Sequence, residues 1–512
     1  MTVALSGMSL HTNNDSESNW GGTDGADDYN NAIQGTNSES WQVSKNSTET
    51  GTLSLSSALN TTRGLFMFWM SSNLSPYYTD IKVTLESSNG NDKEFTVANS
   101  TNKAIGGNFV ASVLDYVNKG TETGTFAPAS FSEVAIVVDN SSSGNIRSVI
   151  NNWIDAMYYG AGHTISGTTT GDTLFEEAAA VDQNSSNQYG VIWKYNDIIY
   201  SQGDLICSGT ALVSDSETLV FVDTLNGYDT YNFNITGTVT FKNTTVIGAG
   251  TIDFILDALS ATSFSMTGGA LTNAQDIKLK DGQTFIGVVI NAAAASTIAN
   301  DPDTCTWNNS GTIWVGATGS LNSCIFNDPT GVIAVDITSL DRLDACVFNS
   351  DGTGYAVDLG TISADTSMSW NCITTGYASS DGSTGNEVIY VSVDSGKTLT
   401  INVSGVASPT VDNAGAGTVT VVNAVSLTIQ GTVSLVGAEV RIYDYNGSGG
   451  SLGDELAGVE SHDSATYIYS GASGNVIWIQ IMLTDYEEFG VELTMPSSAS
   501  TYLAQLNLDL ND

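Results

Sequence analysis

Two nearly identical segments of seventeen residues constrain the fold of this chain more than any other feature. "LNSCIFNDPTGVIAVDI" runs from Leu321 to Ile337, and "LDACVFNSDGTGYAVDL" follows 22 positions later, from Leu343 to Leu359. Each segment alternates apolar and polar residues as a short strand does, and then supplies an Asn that suits a turn. One such unit cannot bury its apolar side alone, so the repeat predicts a solenoid of stacked units.

A four-residue signature extends this repeat along residues 222–424. Its copies are Cys305–Asn308, Cys324–Asn327, Cys346–Asn349 and Met368–Asn371, with weaker copies at Val288–Asn291 and Phe264–Thr267. The first and third residues of each copy are apolar, so we expect them to face the interior of a right-handed parallel β-helix. This alignment predicts one buried column made of Cys305, Cys324, Cys346 and Met368.

The flanking sequence also alternates in the manner of strands, so the whole chain is predicted to be all-β. Residues 1–165 combine alternating segments with Gly, Asn and Ser turns, which predicts a jelly-roll-like or lectin-like β-sandwich. Residues 425–512 carry longer alternating strands, which predict an immunoglobulin-like or transthyretin-like β-sandwich.

A connector is predicted over residues 166–221. In "GDTLFEEAAAVDQ" the spacing of Thr173 and Glu176 is that of a capping box, which predicts a short helix. Further on, Asn196-Asp197 stands between two apolar runs and predicts a hairpin.

Composition limits the possible partners. The formal net charge is -41, from 14 Lys and Arg against 55 Asp and Glu, so the surface repels nucleic acid and anionic lipid. The five cysteines form no CxxC pair, which favours thiols in a reducing cytoplasm over a disulfide framework. No run approaches eighteen apolar residues, so neither membrane insertion nor Sec-dependent export is expected.

Two stretches near the start of the chain resemble a known group of proteins. The runs "QGTNSESWQVSKNSTETGTLSLSSALN" and "NWIDAMYYGAGHTISGTTTGDTLFEEAAAVDQNSSNQYGVIWKYNDIIYSQGDLI" resemble virion structural proteins of tailed bacteriophages, in which a jelly-roll-like domain precedes a β-helix. The segment "AEVRIYDYNGSGGSLGDELAGVE" resembles immunoglobulin-like modules of phage appendages.

The resemblance implies a structural protein located in the virion and assembled in the host cytoplasm. It implies a homotrimer acting as a capsid decoration, head fibre or tail fibre, with major capsid or tail proteins as partners. It carries over no catalytic residue and no cofactor.

Motifs for chemistry are few. His11, His163 and His462 lie far apart with no ligand-spaced Cys or acid, so they are expected at the surface or in turns. Neither a nucleophile elbow nor a phosphate-binding loop is present. The sequence therefore predicts a non-enzymatic protein without catalytic, cofactor-binding or metal-binding residues.

Calcium binding is one alternative that the residues leave open. Asp24, Asp27 and Asp28 in "GGTDGADDYNN" carry the hard oxygens that calcium takes. They lack the EF-hand spacing, so a solvated loop is the favoured interpretation.

Glycan cleavage is a second alternative, because it needs two carboxylates flanking one bond. Asp336 and Asp358 on neighbouring coils are the best candidates, with Asp341 and Asp344 between them. Lining of the solvent side is the favoured interpretation of these acids. Likewise Trp307, Trp314 and Trp370 are expected to pack in the core or between subunits rather than to stack on sugars.

Two functions therefore stand beside the structural one. A tail-fibre or tailspike receptor-binding protein would bind or depolymerise host surface polysaccharide. An adhesin would use the loops around "YDYNGSGGSLGDE", residues 443–455, because Gly, Ser and Tyr suit adaptable contact surfaces.

Overall fold

A computed structural model gives an all-β chain that divides into two compact units. The first unit is Met1–Asp301 with Cys305–Ser310, and the second is Pro302–Thr304 with Gly311–Asp512. No helix in the described part of the chain is long and apolar enough to span a membrane. The structure describes residues 2–7, 9–12, 20–22, 26–28, 38–44, 47–54, 59, 63–72, 80–97, 110–139, 149–182, 191–222, 227–382, 384–404, 406–445, 452–472, 475–496 and 499–509.

The first unit contains thirty described strands, one α-helix, α1 (Leu174–Asp182), and a 3-10 turn at Pro128–Ser130. Its strands are β1 (Ala4–Ser6), β2 (Ser9–Thr12), β3 (Trp20–Gly22), β4 (Ala26–Asp28), β5 (Ser38–Ser44), β6 (Thr48–Ser54), β7 (Leu65–Ser72), β8 (Asp80–Ser87), β9 (Asp92–Val97), β10 (Val110–Asp115), β11 (Thr121–Thr123), β12 (Phe131–Asp139), β13 (Val149–Gly160), β14 (Gly162–Ser166), β15 (Ile192–Tyr195), β16 (Ile198–Ser201), β17 (Asp204–Cys207), β18 (Leu212–Asp215), β19 (Thr218–Phe221), β20 (Thr230–Ile235), β21 (Thr238–Lys242), β22 (Thr245–Gly248), β23 (Asp253–Asp257), β24 (Ser263–Thr267), β25 (Ala270–Thr272), β26 (Ala274–Leu279), β27 (Thr284–Ile286), β28 (Val289–Asn291), β29 (Ser296–Ile298) and β30 (Thr306–Asn308).

The second unit contains nineteen described strands and a 3-10 turn at Leu340–Arg342. Its strands are β31 (Ile313–Val315), β32 (Leu321–Asn322), β33 (Ile325–Asn327), β34 (Ile333–Asp336), β35 (Leu343–Asp344), β36 (Val347–Asn349), β37 (Tyr355–Ile362), β38 (Thr366–Trp370), β39 (Ile373–Thr375), β40 (Ile389–Val393), β41 (Thr398–Ser404), β42 (Val411–Asn413), β43 (Thr418–Gly431), β44 (Glu439–Tyr445), β45 (Leu452–Val459), β46 (Thr466–Ala472), β47 (Val476–Met482), β48 (Phe489–Thr494) and β49 (Ser500–Ala504).

Two antiparallel sheets begin the first unit. One sheet has the order β11-β9-β8-β12-β6-β3, and the other has the order β10-β7-β13-β5-β4 with β2 on β13. Phe66 and Phe68 of β7 share one buried cluster with Val83, Leu85 and Ile136 of the facing sheet. The alternating pattern places these residues on the inner faces, so the two sheets enclose a single core.

Parallel stacking follows in the same unit. Three sheets, β14-β17-β20-β23-β26-β29, β16-β19-β22-β25-β28-β30 and β18-β21-β24-β27, are built from parallel strands, with one strand per repeat in each sheet. Along the first sheet Leu205, Phe233 and Leu256 are in register and buried. Parallel pairing already starts at Gly162, ahead of residue 222.

Both local predictions for the connector are confirmed. Helix α1 lies where the capping-box spacing predicts it, although the amides of Phe175 and Glu176 donate to the carboxylate of Glu217, at 3.2 and 2.8 Å. Strands β15 and β16 form an antiparallel hairpin whose turn residues, Asn196 and Asp197, have φ of 49° and 62°. Positive φ at both positions is the geometry of a type I′ turn.

Strands of the second unit are also parallel, in the orders β31-β34-β37-β40-β42, β33-β36-β39, β32-β35 and β38-β41-β43. The inward positions of these strands are apolar. In β31-β34-β37-β40-β42, for example, the residues in register and buried are Ile313, Val335, Val357, Ile389 and Val411. Burying such a side chain fully contributes about 1.5–3 kcal/mol. Each repeat gains this burial only when its neighbours are present.

The register confirms part of the signature alignment and corrects the rest. Ile325 and Phe326 pair with Val347 and Phe348, as predicted. Val347 then pairs with Ile373, so Cys372 and not Met368 follows Cys346 in the buried column. Met368 pairs with Ile401 in a different sheet, because the long strand β37 lengthens this repeat from 22 to 26 residues. The weaker copy at Phe264–Thr267 is also misaligned. It lies on β24, whereas the strand that pairs with β28 is β25.

A second pair of sheets ends the chain. The first part of β43 pairs in parallel with β41, and its remainder pairs antiparallel with β46 and parallel with β49. The facing sheet has the order β45-β44-β47-β48. Leu427 and Ile429 of β43 share a buried cluster with Val440, Ile442 and Ile479. Strand β43 therefore belongs both to the parallel stack and to the terminal pair of sheets. It continues through residues 424 and 425, between which the sequence predicts a domain boundary.

Substitution of a corner residue tests the stacked geometry. Ser323 and Ala345, which precede Cys324 and Cys346, have φ of 51°, in the left-handed region that disfavours side chains. Because Ala345 is exposed, we expect Ala345→Gly to raise the free energy of unfolding by about 0.5–1 kcal/mol in denaturant titration. Ala364 is exposed with φ outside that region, so Ala364→Gly should lower stability. Equal effects of both substitutions would contradict the assigned corner.

Candidate functional site

The outer face of the sheet β31-β34-β37-β40-β42 carries the candidate site. Trp314 pairs with Asp336, Asp336 with Asp358, Asp358 with Tyr390, and Tyr390 with Asp412. Each residue directly follows a buried inward residue of the same strand, so alternation turns it to the outer face. We call these five residues the outward column.

Trp314 is the exposed aromatic residue of this column. Its exposure is 45%, whereas Trp307 and Trp370 are 2% and 1% exposed. Core packing is therefore confirmed for Trp307 and Trp370. Trp314 does not lie in the core, and a place between subunits stays a prediction for it. The signal was present in the sequence, because Trp314 follows an inward Ile as Asp336 follows an inward Val.

Asp336 and Asp358 occupy the middle of the column. Both are half-buried on the outer face, which confirms that they line the solvent side. Parallel strands in register are about 4.8 Å apart, so the two carboxylates are direct neighbours. The Asp358 Oδ1 atom accepts the amide of Gly360 at 2.7 Å. Burial raises the pKa of Asp336, and the negative charge of Asp358 raises it further.

The other two acids of the predicted glycan site are not brought into the column. Asp341 Oδ1 accepts the amide of Ser369 at 2.6 Å, and Asp344 Oδ1 accepts the side-chain amide of Asn371 at 2.6 Å. Asp344 lies on β35, in the sheet formed by β32 and β35. Both carboxylates therefore connect successive repeats elsewhere on the surface.

Tyr355 adds a second aromatic ring beside the far end of the column. Its ring centroid is 5.0 Å from that of Tyr390, and its hydroxyl donates to Asp412 Oδ2 at 2.7 Å. Burial raises the pKa of Tyr355, and the hydrogen bond to Asp412 acts in the same direction. The phenol therefore stays a donor at neutral pH, and these contacts hold the Tyr390 side of the face in place.

A buried carboxylate fixes the turn that leads into β40. Glu387 accepts the amides of Thr384, Gly385 and Asn386 at 3.0, 3.1 and 3.2 Å, and the Thr384 hydroxyl at 2.7 Å. Burial alone would raise the pKa of Glu387, but these hydrogen bonds outweigh it and lower the pKa. The turn that precedes Tyr390 is thus ordered by an ionised acid.

The histidines differ from expectation in one case. His163 is 3% exposed, and its Nε2 lies 3.0 Å from Asp182 Oδ1, so its predicted place at the surface is wrong. It follows Gly162 on β14 and pairs with the inward Leu205, which points it towards α1. His462 Nε2 lies 2.8 Å from the Thr466 carbonyl oxygen. The side chain of His11 lies outside the described side chains. Asp24, Asp27 and Asp28, the acids of the calcium alternative, also lie outside the described residues or side chains.

The cysteines pack as thiols in the interior. All five are buried, and Cys324, Cys346 and Cys372 follow one another at equivalent positions of successive repeats. Cys346 Sγ donates to the Leu321 carbonyl at 3.3 Å. Over the described residues, no group of three or more His, Cys, Asp or Glu side chains could hold a metal ion.

A cavity of about 350 Å³ in the first unit is lined by Asp204, Asn234 and Gly162 among others. Its one carboxylate is already engaged, because Arg63 pairs with Asp204 through two nitrogens and Asn232 donates to both carboxylate oxygens. The Arg63 guanidinium also lies 3.7 Å from the ring centroid of Tyr228. This cluster ties neighbouring elements of the first unit together and leaves the cavity without an uncommitted acid.

Comparison with known proteins gives distant likenesses only. No protein-family model and no curated protein matches the chain. A family 11 carbohydrate-binding module from Clostridium thermocellum, in complex with a mixed-linked tetrasaccharide, is 12% identical over 30% of this chain and 95% of its own, with a TM-score of 0.23. The CBM22-1 xylan-binding domain from Paenibacillus barcinonensis Xyn10C is 13% identical over 31% and 96%, with a TM-score of 0.21.

The catalytic domain of a GH87 alpha-1,3-glucanase in complex with nigerose covers more of the chain. It is 11% identical over 82% of this chain and 96% of its own, with a TM-score of 0.27. At these TM-scores the likenesses carry no argument about the fold or function of this protein.

The Asp336–Asp358 pair makes stability depend on pH. Because the pKa of Asp336 is raised in the folded chain, its ionisation costs stability as the pH rises through that pKa, and the cost is absent below its unfolded pKa of about 4. We therefore expect Asp336→Asn to raise the melting temperature near neutral pH and to have no effect below about pH 3. Asp463→Asn, at a fully exposed side chain, is the control and should change the melting temperature at neither pH. A rise in melting temperature that is the same at every pH would contradict the link between Asp336 ionisation and stability.

Proposed function

We propose that this protein binds an uncharged polysaccharide along the outward column. The observation that carries the proposal is the register, which places exposed Trp314, the carboxylates of Asp336 and Asp358, and the ring of Tyr390 at one-strand intervals on one face. Aromatic rings receive the flat C–H faces of sugars, and carboxylates accept hydrogen bonds from sugar hydroxyls.

The spacing of the column suits an extended glycan. Its members follow one another at about 4.8 Å, which is close to the length of one hexose unit in an extended chain. Trp314 begins the column, and Tyr390, supported by Tyr355, lies beyond the two acids. A polysaccharide lying along the column would thus meet an aromatic ring on each side of the carboxylates.

Charge selects the class of polysaccharide. The chain carries a formal net charge of -41, and three of the five members of the outward column are acids. Acidic polysaccharides such as polyuronates would be repelled by this face, whereas neutral ones would not. The proposed ligand is therefore a neutral polysaccharide.

We further infer the finer architecture that goes with this function. In-register parallel pairing with one strand per repeat in each of three sheets supports a right-handed parallel β-helix. The paired antiparallel sheets before it support a jelly-roll-like domain, and those around β43 support an immunoglobulin-like domain.

The virion role suggested by sequence resemblance stays a prediction, as do the homotrimer, the capsid or tail partners and the virion location. Within that setting, the outward column favours the receptor-binding alternative, in which the ligand is a host surface polysaccharide, over a purely structural strut. An adhesin role for residues 443–455 also stays a prediction, and residues 446–451 of that segment lie outside the described residues.

Loss of the exposed indole tests the proposal. We expect Trp314→Ala to weaken binding of the neutral polysaccharide that the wild-type chain selects from an array by about 30-fold, or about 2 kcal/mol, in calorimetric titration, because the main stacking surface is removed. Tyr195→Ala is the matched control, because Tyr195 is an aromatic residue of the first unit with 52% exposure. Equal affinity of the wild type and Trp314→Ala, or a preference of the wild type for anionic polysaccharides, would refute the proposal.

A further inference from the structure

We infer that Asp336 and Asp358 hydrolyse a glycosidic bond of the polysaccharide on the outward column, with Asp336 as general acid and Asp358 as nucleophile. This inference rests on the proposed binding function and goes beyond it. It replaces the sequence-based prediction of a non-enzymatic protein, which relied on the absence of a recognisable motif.

The separation of the pair fits one mode of hydrolysis. Asp336 and Asp358 are aligned residues of β34 and β37, whose backbones are about 4.8 Å apart. Retaining glycoside hydrolysis uses two carboxyl groups about 5–5.5 Å apart, whereas inverting hydrolysis needs about 6.5–9.5 Å to admit a water between them. The register therefore favours the retaining reaction.

The two carboxyl groups have different surroundings, as the two roles require. Asp358 accepts a hydrogen bond from the Gly360 amide, which orients its carboxylate. The Asp336 carboxyl group makes no hydrogen bond to a described residue, and burial and the negative charge of Asp358 raise its pKa. A protonated acid beside an ionised one is the arrangement that proton donation and nucleophilic attack need.

The aromatic residues define where the bond would lie. Trp314 precedes Asp336 by one strand, and Tyr390 follows Asp358 by one strand. With one sugar unit per strand interval, three bonds separate the units held on these two rings, and the central bond lies over the carboxyl pair. The two acids thus occupy the middle of the binding face. At the edge of that face, Asp412 accepts a hydrogen bond from the Tyr355 hydroxyl.

The reaction balances with water as the only co-reactant. A carboxylate oxygen of Asp358 attacks the anomeric carbon and forms a glycosyl ester, the bond to the leaving oxygen breaks, and Asp336 gives that oxygen its proton. Water then attacks the same carbon, Asp336 takes a proton from the water, and the ester bond breaks to restore the Asp358 carboxylate. One reducing end and one alcohol are formed with retained configuration, and nothing is oxidised or reduced.

The test uses the 512-residue chain and an array of neutral polysaccharides. Binding and the release of new reducing ends are measured on the same samples for the wild type, Asp336→Asn and Asp358→Asn. Asp257→Asn is the matched control, because Asp257 is an outward acid of the first unit whose Oδ1 accepts the Leu259 amide at 3.0 Å, as Asp358 accepts that of Gly360.

We expect the wild type and Asp257→Asn to release reducing ends at equal rates, and each site variant to lose at least about 100-fold in rate while affinity stays within about twofold. Binding by the wild type without release of reducing ends would overturn the hydrolysis and leave the binding function intact. Absence of binding would instead overturn the proposed function itself. Undiminished cleavage by either site variant would overturn the assigned roles.

Azide distinguishes a nucleophile from a residue that only supports the structure. In Asp358→Ala the small anion is expected to occupy the space of the carboxylate and to restore the rate, with a glycosyl azide of inverted configuration as the product. The same addition to Asp336→Ala should yield a glycosyl azide of retained configuration, because Asp358 still forms the ester that azide then opens. Identical products from both variants would contradict the separate roles.

Discussion

In-register parallel pairing is the constraint on which the stacked part of this protein depends. Each strand pairs with its equivalent in the next repeat, so a side chain lies beside the residue at the same position one repeat later. Phe326 and Phe348 stack with ring centroids 4.7 Å apart, and the side-chain amide of Asn349 donates to Asn327 at 2.8 Å. Inward positions must therefore repeat apolar residues, while outward positions are free to assemble a surface column.

The outward column follows from that freedom. Residues 22 positions apart in the sequence become neighbours, and so Asp336 meets Asp358 without any local motif. Like charges at such a distance repel and raise the pKa of one partner, a cost that apolar or amide side chains would avoid. In the proposed function, their position between Trp314 and Tyr390 accounts for this cost, because binding and acid–base chemistry would share one face.

Much of the architecture was predictable, and the failures have physical causes. Alternation and repeat spacing indicated the strands, the buried thiols of Cys324 and Cys346 and the outward Asp pair. The prediction that Met368 follows Cys346 in the buried column is wrong, because a fixed period cannot reveal that β37 lengthens one repeat. Residue type favours a packed position for Trp314, whereas the alternation of its strand turns it outward. The partner of His163, Asp182, comes from a helix whose position only the folded chain defines.

Hydroxyl-radical footprinting of the 512-residue chain, with and without a neutral polysaccharide, tests most directly whether the outward column binds the ligand. We expect oxidation of Trp314 and Tyr390 to fall when the polysaccharide is added, while exposed Tyr195 of the first unit reacts as before. Unchanged reactivity of Trp314 and Tyr390 under conditions where the polysaccharide is bound would show that the ligand lies elsewhere, and the outward column would lose its assigned role.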